Sequence, residues 1–377
     1  MSHIVIVGAV PESLVNFRGD LIRTIVAHGH RVTAMAATGD PVCVASIEAL
    51  GASFISFPVN RTGRSIVNDL QTFFALRAAF SALQPDLVMA YTIKPVIWAG
   101  CAARVAGISQ FYALIEGLGY AFQRGHWQRR LLEMITCALY YTALYRAVRV
   151  IFLNPDNRRV FLSKRLIRES QAVQVDSIGV DLDFFTNTPI PDGRPKFLCI
   201  ARLLGDKGLR EYAQAAKRVR ALYPDVQIML LGPPDSSPDG IPSPEVWSWH
   251  NSGILEYFGE TRDVRSFLAK CSVYVLPSYH EGVPRTTLEA MAMGRPIITT
   301  DVPGCRETVV PGENGYLIPK ANIEALVERM VWFIEHPDTC RTMGAVSRRM
   351  AEQRFDAVKI NADLMRILNL HIPGIDS

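Results

Sequence analysis

Two glutamates bracket the stretch of this chain best equipped for chemistry, Leu276-Pro277-Ser278-Tyr279-His280-Glu281-Gly282-Val283-Pro284-Arg285-Thr286-Thr287-Leu288-Glu289. Glu281 precedes a helix and Glu289 lies about one turn inside it, so the two carboxylates can face one pocket. The helix start between them carries roughly half a positive charge and unpaired N–H groups, which favour an anion such as phosphate. A second loop, Ala201-Arg202-Leu203-Leu204-Gly205-Asp206-Lys207-Gly208, brings two cations to another helix start. The planar fork of Arg202 and the point charge of Lys207 suit a diphosphate. Thr286-x-x-Glu289 also fits a capping box, in which Glu289 would only bond backbone N–H groups.

The elements that must position these residues are legible as an alternation. An apolar strand over 273–276 leads into the glutamate loop, the helix stops at Gly294, and a strand over 297–300 follows. Parallel α/β sheets bind ligands at the carboxyl ends of their strands, which is where both loops fall. The N-terminal half reads as strands 4–7, 32–36, 54–57, 87–90, 110–114, 148–153 and 172–177. Between them come helices 12–28, 44–50, 66–83, 95–106, 127–147 and 156–169, which together imply a doubly wound parallel sheet. Residues 186–195, with three prolines and a glycine, read as a linker. The rhythm restarts with strands 197–201, 226–231 and 255–258 and helices 208–222, 245–251 and 262–271. At 377 residues the chain exceeds one core, so two domains are expected.

The whole string from Leu276 to Ile298, followed by Asp301-Val302-Pro303-Gly304-Cys305-Arg306-Glu307, closely resembles the nucleotide-sugar site of retaining glycosyltransferases of family four. The resemblance covers nearly the whole chain and is strongest over 197–320. It implies the GT-B fold, two Rossmann-like doubly wound α/β domains with parallel sheets facing across a cleft. The expected division is an acceptor domain over 1–187, a donor domain over 188–355, and a C-terminal helix over 356–377 packing back on the first. By resemblance, Arg202 and Lys207 hold the donor's pyrophosphate, Glu289 bonds the ribose and Glu281 contacts the transferred sugar. Gly282, Val283, Pro284 and Arg285 complete that loop, and Tyr257 and Val264 lie near the base. No metal, cofactor or covalent nucleophile is implied; the donor, a UDP-sugar, is a substrate.

Many family members carry Thr-x-His at a strand end of the first domain, where this chain has Ala113-Leu114-Ile115-Glu116-Gly117-Leu118-Gly119. Glu116 therefore stands where an imidazole is common and could accept the acceptor hydroxyl's proton or bond the sugar. Lys94 is placed to meet an acceptor phosphate, and Gly8 to let backbone approach the donor phosphates. Asn16 and Arg18, at a helix start, are weaker candidates.

Composition narrows the partners. Hydrophobic residues make up 49% of the chain and charged ones 20%, as in globular enzymes. No apolar run reaches the ~20 residues of a membrane span. Met1 leads directly into a strand without a secretion signal, and seven unpaired cysteines suit a cytoplasmic protein. Residues 124–168 hold ten Arg or Lys against two acids, an excess of eight where the whole chain carries only +4. Aromatic and aliphatic side chains interleave with those cations. Arg124, Arg129 and Arg130 are thus expected to meet an anionic membrane surface or a lipid-linked acceptor, with the protein peripheral on the inner face of the plasma membrane. No nucleic-acid motif accompanies the charge.

Three readings follow: a transferase moving a hexose or N-acetylhexosamine from a UDP-sugar to a lipid-diphosphate-linked sugar; a sugar-nucleotide epimerase of the same architecture; or a non-catalytic sugar-nucleotide-binding protein at the membrane.

Overall fold

In a computed structural model, residues 1–59, 65–118, 122 and 127–370 are described, with the side chains of 127–129 left aside. The chain forms two compact units, 1–178 with 359–377, and 179–358.

The first unit contains β1 (His3–Val7), α1 (Pro11–Ala27), β2 (Arg31–Ala36), α2 (Pro41–Ala49), β3 (Ser53–Ser56), α3 (Ile66–Leu83), β4 (Leu87–Tyr91), α4 (Ile93–Val105) and β5 (Phe111–Ile115). It continues with α5 (Trp127–Leu144), β6 (Arg149–Phe152), α6 (Pro155–Ser163) and β7 (Ala172–Gln174). The seven strands lie in the order β3-β2-β1-β4-β5-β6-β7, and their pairings are parallel. β1, β4 and β5 are buried throughout, as unbroken apolar runs covered on both faces must be. Polar caps set the helix starts: Asp40 accepts from Cys43 N at 2.9 Å, and Asn154 from Asn157 N at 2.9 Å. Strand order reverses between β1 and β4, so their carboxyl ends form the crevice where doubly wound sheets take ligands.

The second unit contains β8 (Phe197–Ile200), α7 (Leu209–Leu222), β9 (Ile228–Leu231), α8 (Ser243–Asn251), β10 (Glu256–Tyr257), α9 (Arg265–Lys270), β11 (Val273–Leu276) and α10 (Arg285–Ala292). After these come β12 (Ile297–Thr300), β13 (Gly315–Ile318), α11 (Ile323–Glu335), α12 (Thr339–Arg354) and α13 (Ala357–Ile367), the last of which starts at the edge of this unit and returns the chain to the first. The sheet order is β10-β9-β8-β11-β12-β13, again parallel, with its switch point between β8 and β11. Past α13, Asn369 donates to the Tyr112 hydroxyl at 3.2 Å.

Two boundaries differ from expectation. The helix expected to run to 169 stops at Ser163, because Arg165 takes a left-handed φ of 53° and Leu166 N turns back to Phe161 O at 3.0 Å. The change of unit falls at Gly179 rather than 188. The Pro-rich stretch 186–195 belongs to the second unit, where the fully buried Arg295 donates to Thr188 O at 3.1 Å and Pro189 O at 3.3 Å.

Candidate functional site

The carboxyl edge of the second sheet is assembled by two loops pressed together. Gly208 has φ 68°, and a Cβ there would lie 2.1 Å from Pro277 O, so only glycine lets the turn 205–207 approach the loop after β11. Tyr279 N donates to Asp206 O at 2.7 Å across that seam. The Lys207 ammonium then reaches Glu281 Oε1 at 2.6 Å, and Ser278 donates to the same oxygen at 2.8 Å. Burial pulls the Lys207 amine down, but Glu281 and then Asp206 outweigh it, and the group stays cationic with its pKa raised. The Asp301–Glu307 part of the motif is structural support. Thr300 donates to Ser278 O, and a Cβ at Gly304 would strike the carbonyls of Gly282 and Glu281 at 2.3 and 2.4 Å.

The remaining residues of this edge separate into distinct pairs. Arg202, 42% exposed, does not share the Lys207 contact; its Nη1 lies 2.5 Å from Asp235 Oδ2 in the loop after β9. Arg285 Nε donates to Glu289 Oε1 at 2.9 Å, one turn along α10. The capping box does not form. Pro284 is the N-cap, and the Thr286 hydroxyl instead bonds Ile200 O at 3.3 Å and pairs with the Tyr274 hydroxyl at 2.6 Å. Glu289 is buried, which raises its pKa, with Arg285 pulling it part of the way back. Val283 is buried and Gly282 partly so, beside the Pro284 N-cap. Tyr257 spends its hydroxyl on Gly232 O at 2.8 Å, so it holds the loop after β9 in place, and Val264 caps α9.

At the carboxyl edge of the first sheet the polar groups nest around Tyr91. Its hydroxyl sits where a Cβ on Gly8 would be, 2.3 Å away, and Gly8 N is committed to Met35 O at 2.8 Å. Gly8 therefore makes room for Tyr91. Ser13 donates to Val10 O at 2.6 Å and shares a hydrogen bond of 2.7 Å with the Tyr91 hydroxyl. The guanidinium of Arg18 lies over the Tyr91 ring, 4.6 Å from its centroid, and its Nη2 binds Glu116 Oε1. Arg18 is 1% exposed, whereas the Glu116 side chain keeps 24%. Burial raises the Glu116 pKa and Arg18 lowers it in part. Next to Tyr91, Thr92 holds φ 64° with its buried hydroxyl unpartnered, a strained position of the kind that clusters at functional sites. Lys94 pairs with Asp69 at 2.7 Å rather than standing open. Arg130 is exposed on α5, while Arg124 and the Arg129 side chain lie outside the described residues.

Sequence reasoning ranked Arg18 low and missed Tyr91 and Asp235. Arg18 is eleven residues past the end of β1, inside an ordinary amphipathic helix, and no local spacing marks its partner 98 positions away. Asp235 had a signal in the Asp-rich, Pro-rich loop after β9. Among the described residues, no group of three or more His, Cys, Asp or Glu is placed to hold a metal ion, and no helix is long and apolar enough to cross a membrane.

Comparison with known proteins gives this geometry a family. Residues 182–350 match the family model described as "Glycosyl transferases group 1", and residues 16–175 the "Glycosyl transferase 4-like domain". A Campylobacter jejuni N,N'-diacetylbacillosaminyl-diphospho-undecaprenol alpha-1,3-N-acetylgalactosaminyltransferase is 28% identical over 300 residues, 76% of this chain and 77% of that one. An Escherichia coli UDP-Gal:alpha-D-GlcNAc-diphosphoundecaprenol alpha-1,3-galactosyltransferase is 25% identical over 281 residues, 71% of each chain. The solved structure of Anabaena HepE in complex with UDP-glucose superposes with a TM-score of 0.80 at 17% identity, covering 98% of this chain and 100% of that one, which establishes the shared fold. With both halves of the chain matched, the protein belongs to family four of the retaining glycosyltransferases, on the GT-B fold.

Proposed function

We propose that the protein transfers a hexose or N-acetylhexosamine from a UDP-sugar to a sugar carried on a lipid diphosphate, in the assembly of a surface polysaccharide or glycan. The observation that carries this reading is the Lys207–Glu281 pair, with Arg202 nearby on the same edge and the start of α10 behind it. The likeness to transferases that act on undecaprenyl-diphosphate sugars supports the acceptor class. In the reaction the bond between the anomeric carbon and the diphosphate oxygen breaks, the acceptor hydroxyl oxygen takes its place, and the hydroxyl's proton passes to the departing diphosphate. Negative charge grows on the departing UDP, and Lys207, Arg202 and the α10 N–H groups stabilise it there. Glu289 holds the ribose hydroxyls and Glu281 the transferred sugar. Glu116 meets the acceptor.

The acceptor's lipid implies contact with a membrane, and two helices of the first unit supply a surface for it. α4 packs against α3 on one side and α5 on the other, so the three form one layer. On the outer two, Ile66, Val67, Leu70 and Phe74 of α3 and Leu131, Met134, Ile135 and Tyr141 of α5 are exposed. Exposed Arg77, Arg130 and Arg146 accompany them, while the acids Asp69 and Glu133 are paired with Lys94 and Lys164. Apolar residues with unpaired cations suit an anionic headgroup region, so the protein works peripherally on the inner face of the plasma membrane.

The test is a panel of UDP- and GDP-sugars offered with and without a synthetic lipid-diphosphate sugar. UDP release that requires the acceptor is the expected result. Conversion of the sugar nucleotide without an acceptor would make the protein an epimerase, and release confined to GDP-sugars would overturn the donor.

A further inference from the structure

The pair at the first sheet's edge is built inside out. In most ion pairs at a protein surface the long cation reaches outward; here Arg18 is 1% exposed and Glu116 is the member that meets solvent. Arg18 spends Nη1 on Phe17 O at 2.9 Å and Nη2 on Glu116 Oε1, with its plane over Tyr91, and its Nε is buried without a partner. Burying a guanidinium with an unsatisfied N–H is a poor way to stabilise a fold, since apolar side chains of similar volume do as well or better. What the arrangement secures is the orientation of one carboxylate. Oε1 is fixed from below, and no described group takes Oε2. Among the described residues, Glu116 faces Arg18 from α1 and Tyr91 from β4, whose hydroxyl meets Ser13 and which burial holds neutral.

We propose that Arg18 is a positioning residue: seated on Tyr91, it aims the free oxygen of Glu116 at the acceptor sugar, where that oxygen accepts a hydrogen bond from the attacking hydroxyl. This rests on the reading that Glu116 meets the acceptor. Arg18 itself touches no substrate. It also offsets part of the effect of burial, which on balance raises the pKa of the Glu116 carboxyl.

A double-mutant cycle on the full chain tests it, with acceptor-dependent UDP release measured across pH. Glu116→Gln and Arg18→Met each lower kcat/KM for the acceptor by ~100-fold, the low end of what a positioned acid or base contributes. In Arg18→Met the acid limb of the rate profile moves to higher pH, because the carboxylate has lost the charge that held its pKa down. The KM for the UDP-sugar stays as in wild type. Arg18→Lys, which keeps the charge without the fork, recovers part of the loss and the original acid limb. In the Glu116→Gln background Arg18→Met costs nothing further. Should Arg18→Met not fold, Arg18→Lys takes its place in the cycle, and Arg18→Lys/Glu116→Gln supplies the fourth corner. Losses that multiply, or an unmoved acid limb, would show that Arg18 serves only the fold. Full activity of Glu116→Gln alongside acceptor-dependent turnover by wild type would remove Glu116 from the acceptor while leaving the transferase assignment standing.

Discussion

At the carboxyl edge of the second sheet, lysine and arginine side chains are held ready by carboxylates: Lys207 by Glu281, Arg202 by Asp235, Arg285 by Glu289. At the same edge of the first sheet the roles are exchanged, with Arg18 sealed in the core and Glu116 outward. The two sheets are built alike, with the switch point between the first strand and its central neighbour in each. What sets the two edges apart is the side chains at the strand ends. A cation whose carboxylate partner can be exchanged for a phosphate makes a site for an anion. A carboxylate with one oxygen pinned and one free makes a site for a hydroxyl. On the proposed function, this contrast would divide a donor site from an acceptor site by charge.

Lys207→Ala breaks the donor side most severely. Losing one pre-placed charge from the leaving group's surroundings costs ~10²–10³ in turnover. Arg202→Ala should fall at the lower end of that range, since its side chain is 42% exposed and can be partly replaced by solvent and counterions. Steady-state kinetics of the two purified variants decide the matter; unchanged turnover in both would sink the assignment of the diphosphate to this edge. Chelation gives the complementary measurement. With cations doing the work on the diphosphate, EDTA leaves turnover unchanged, and loss restored by magnesium or manganese would contradict the assignment.

The side-chain sets at the second edge were legible because their spacing is local. Arg202 and Lys207 lie within one turn, and Glu281 and Glu289 straddle one helix start, so spacing alone brought each set to a strand end. The sheets themselves were equally legible, since buried parallel strands are short apolar runs and most helices end at a glycine or begin at a cap. The first edge was opaque for the converse reason. Arg18 and Tyr91 come from α1 and β4 and Glu116 directly follows β5, and only the strand order brings them together. Gly8 has a use that spacing could not show: the room left by its missing Cβ is filled by the Tyr91 hydroxyl. The α3 surface was missed because Ile66, Val67, Leu70 and Phe74 sit at helical spacing, which ordinarily marks a buried face.

A smaller effect separates binding from stability at Glu289. With the capping box absent, Glu289→Gln removes a charged hydrogen-bond acceptor from the ribose and weakens nucleotide binding by ~10-fold or somewhat more, as a hydrogen bond to a charged group is worth about 1.5–3 kcal/mol. The pH dependence has a definite sign. Burial raises the folded-state pKa of Glu289 above its ordinary 4.5, so its contribution to stability is complete below that value and is lost as pH rises through the folded pKa. Wild type therefore gains on the Gln variant as pH falls from 7 towards about 4.5. Calorimetry at both pH values, with titration of UDP into each protein, checks the pair of expectations. A variant that binds UDP normally but melts earlier at every pH would restore Glu289 to a purely structural place.

The smallest expected effect falls outside both edges, on the α3 and α5 surface of the first unit. Phe74 is 56% exposed and Met134 68%. If this layer rests on lipid, Leu70→Ser/Phe74→Ser should lower pelleting with anionic vesicles several-fold and reduce turnover on a membrane-embedded acceptor, while turnover on a short-chain, water-soluble analogue stays the same. Charge reversal at Arg130 should act through the electrostatic part alone, worth ~1 kcal/mol per cation near such a surface. Because that part is screened within ~8 Å at physiological salt, raising the salt should erase the Arg130→Glu defect and leave the Leu70→Ser/Phe74→Ser defect in place. The two variants thus dissect one surface into its charged and apolar contributions. Equal pelleting of wild type and both variants, at low salt and high, would mean that these helices face water and that the acceptor's lipid is met elsewhere.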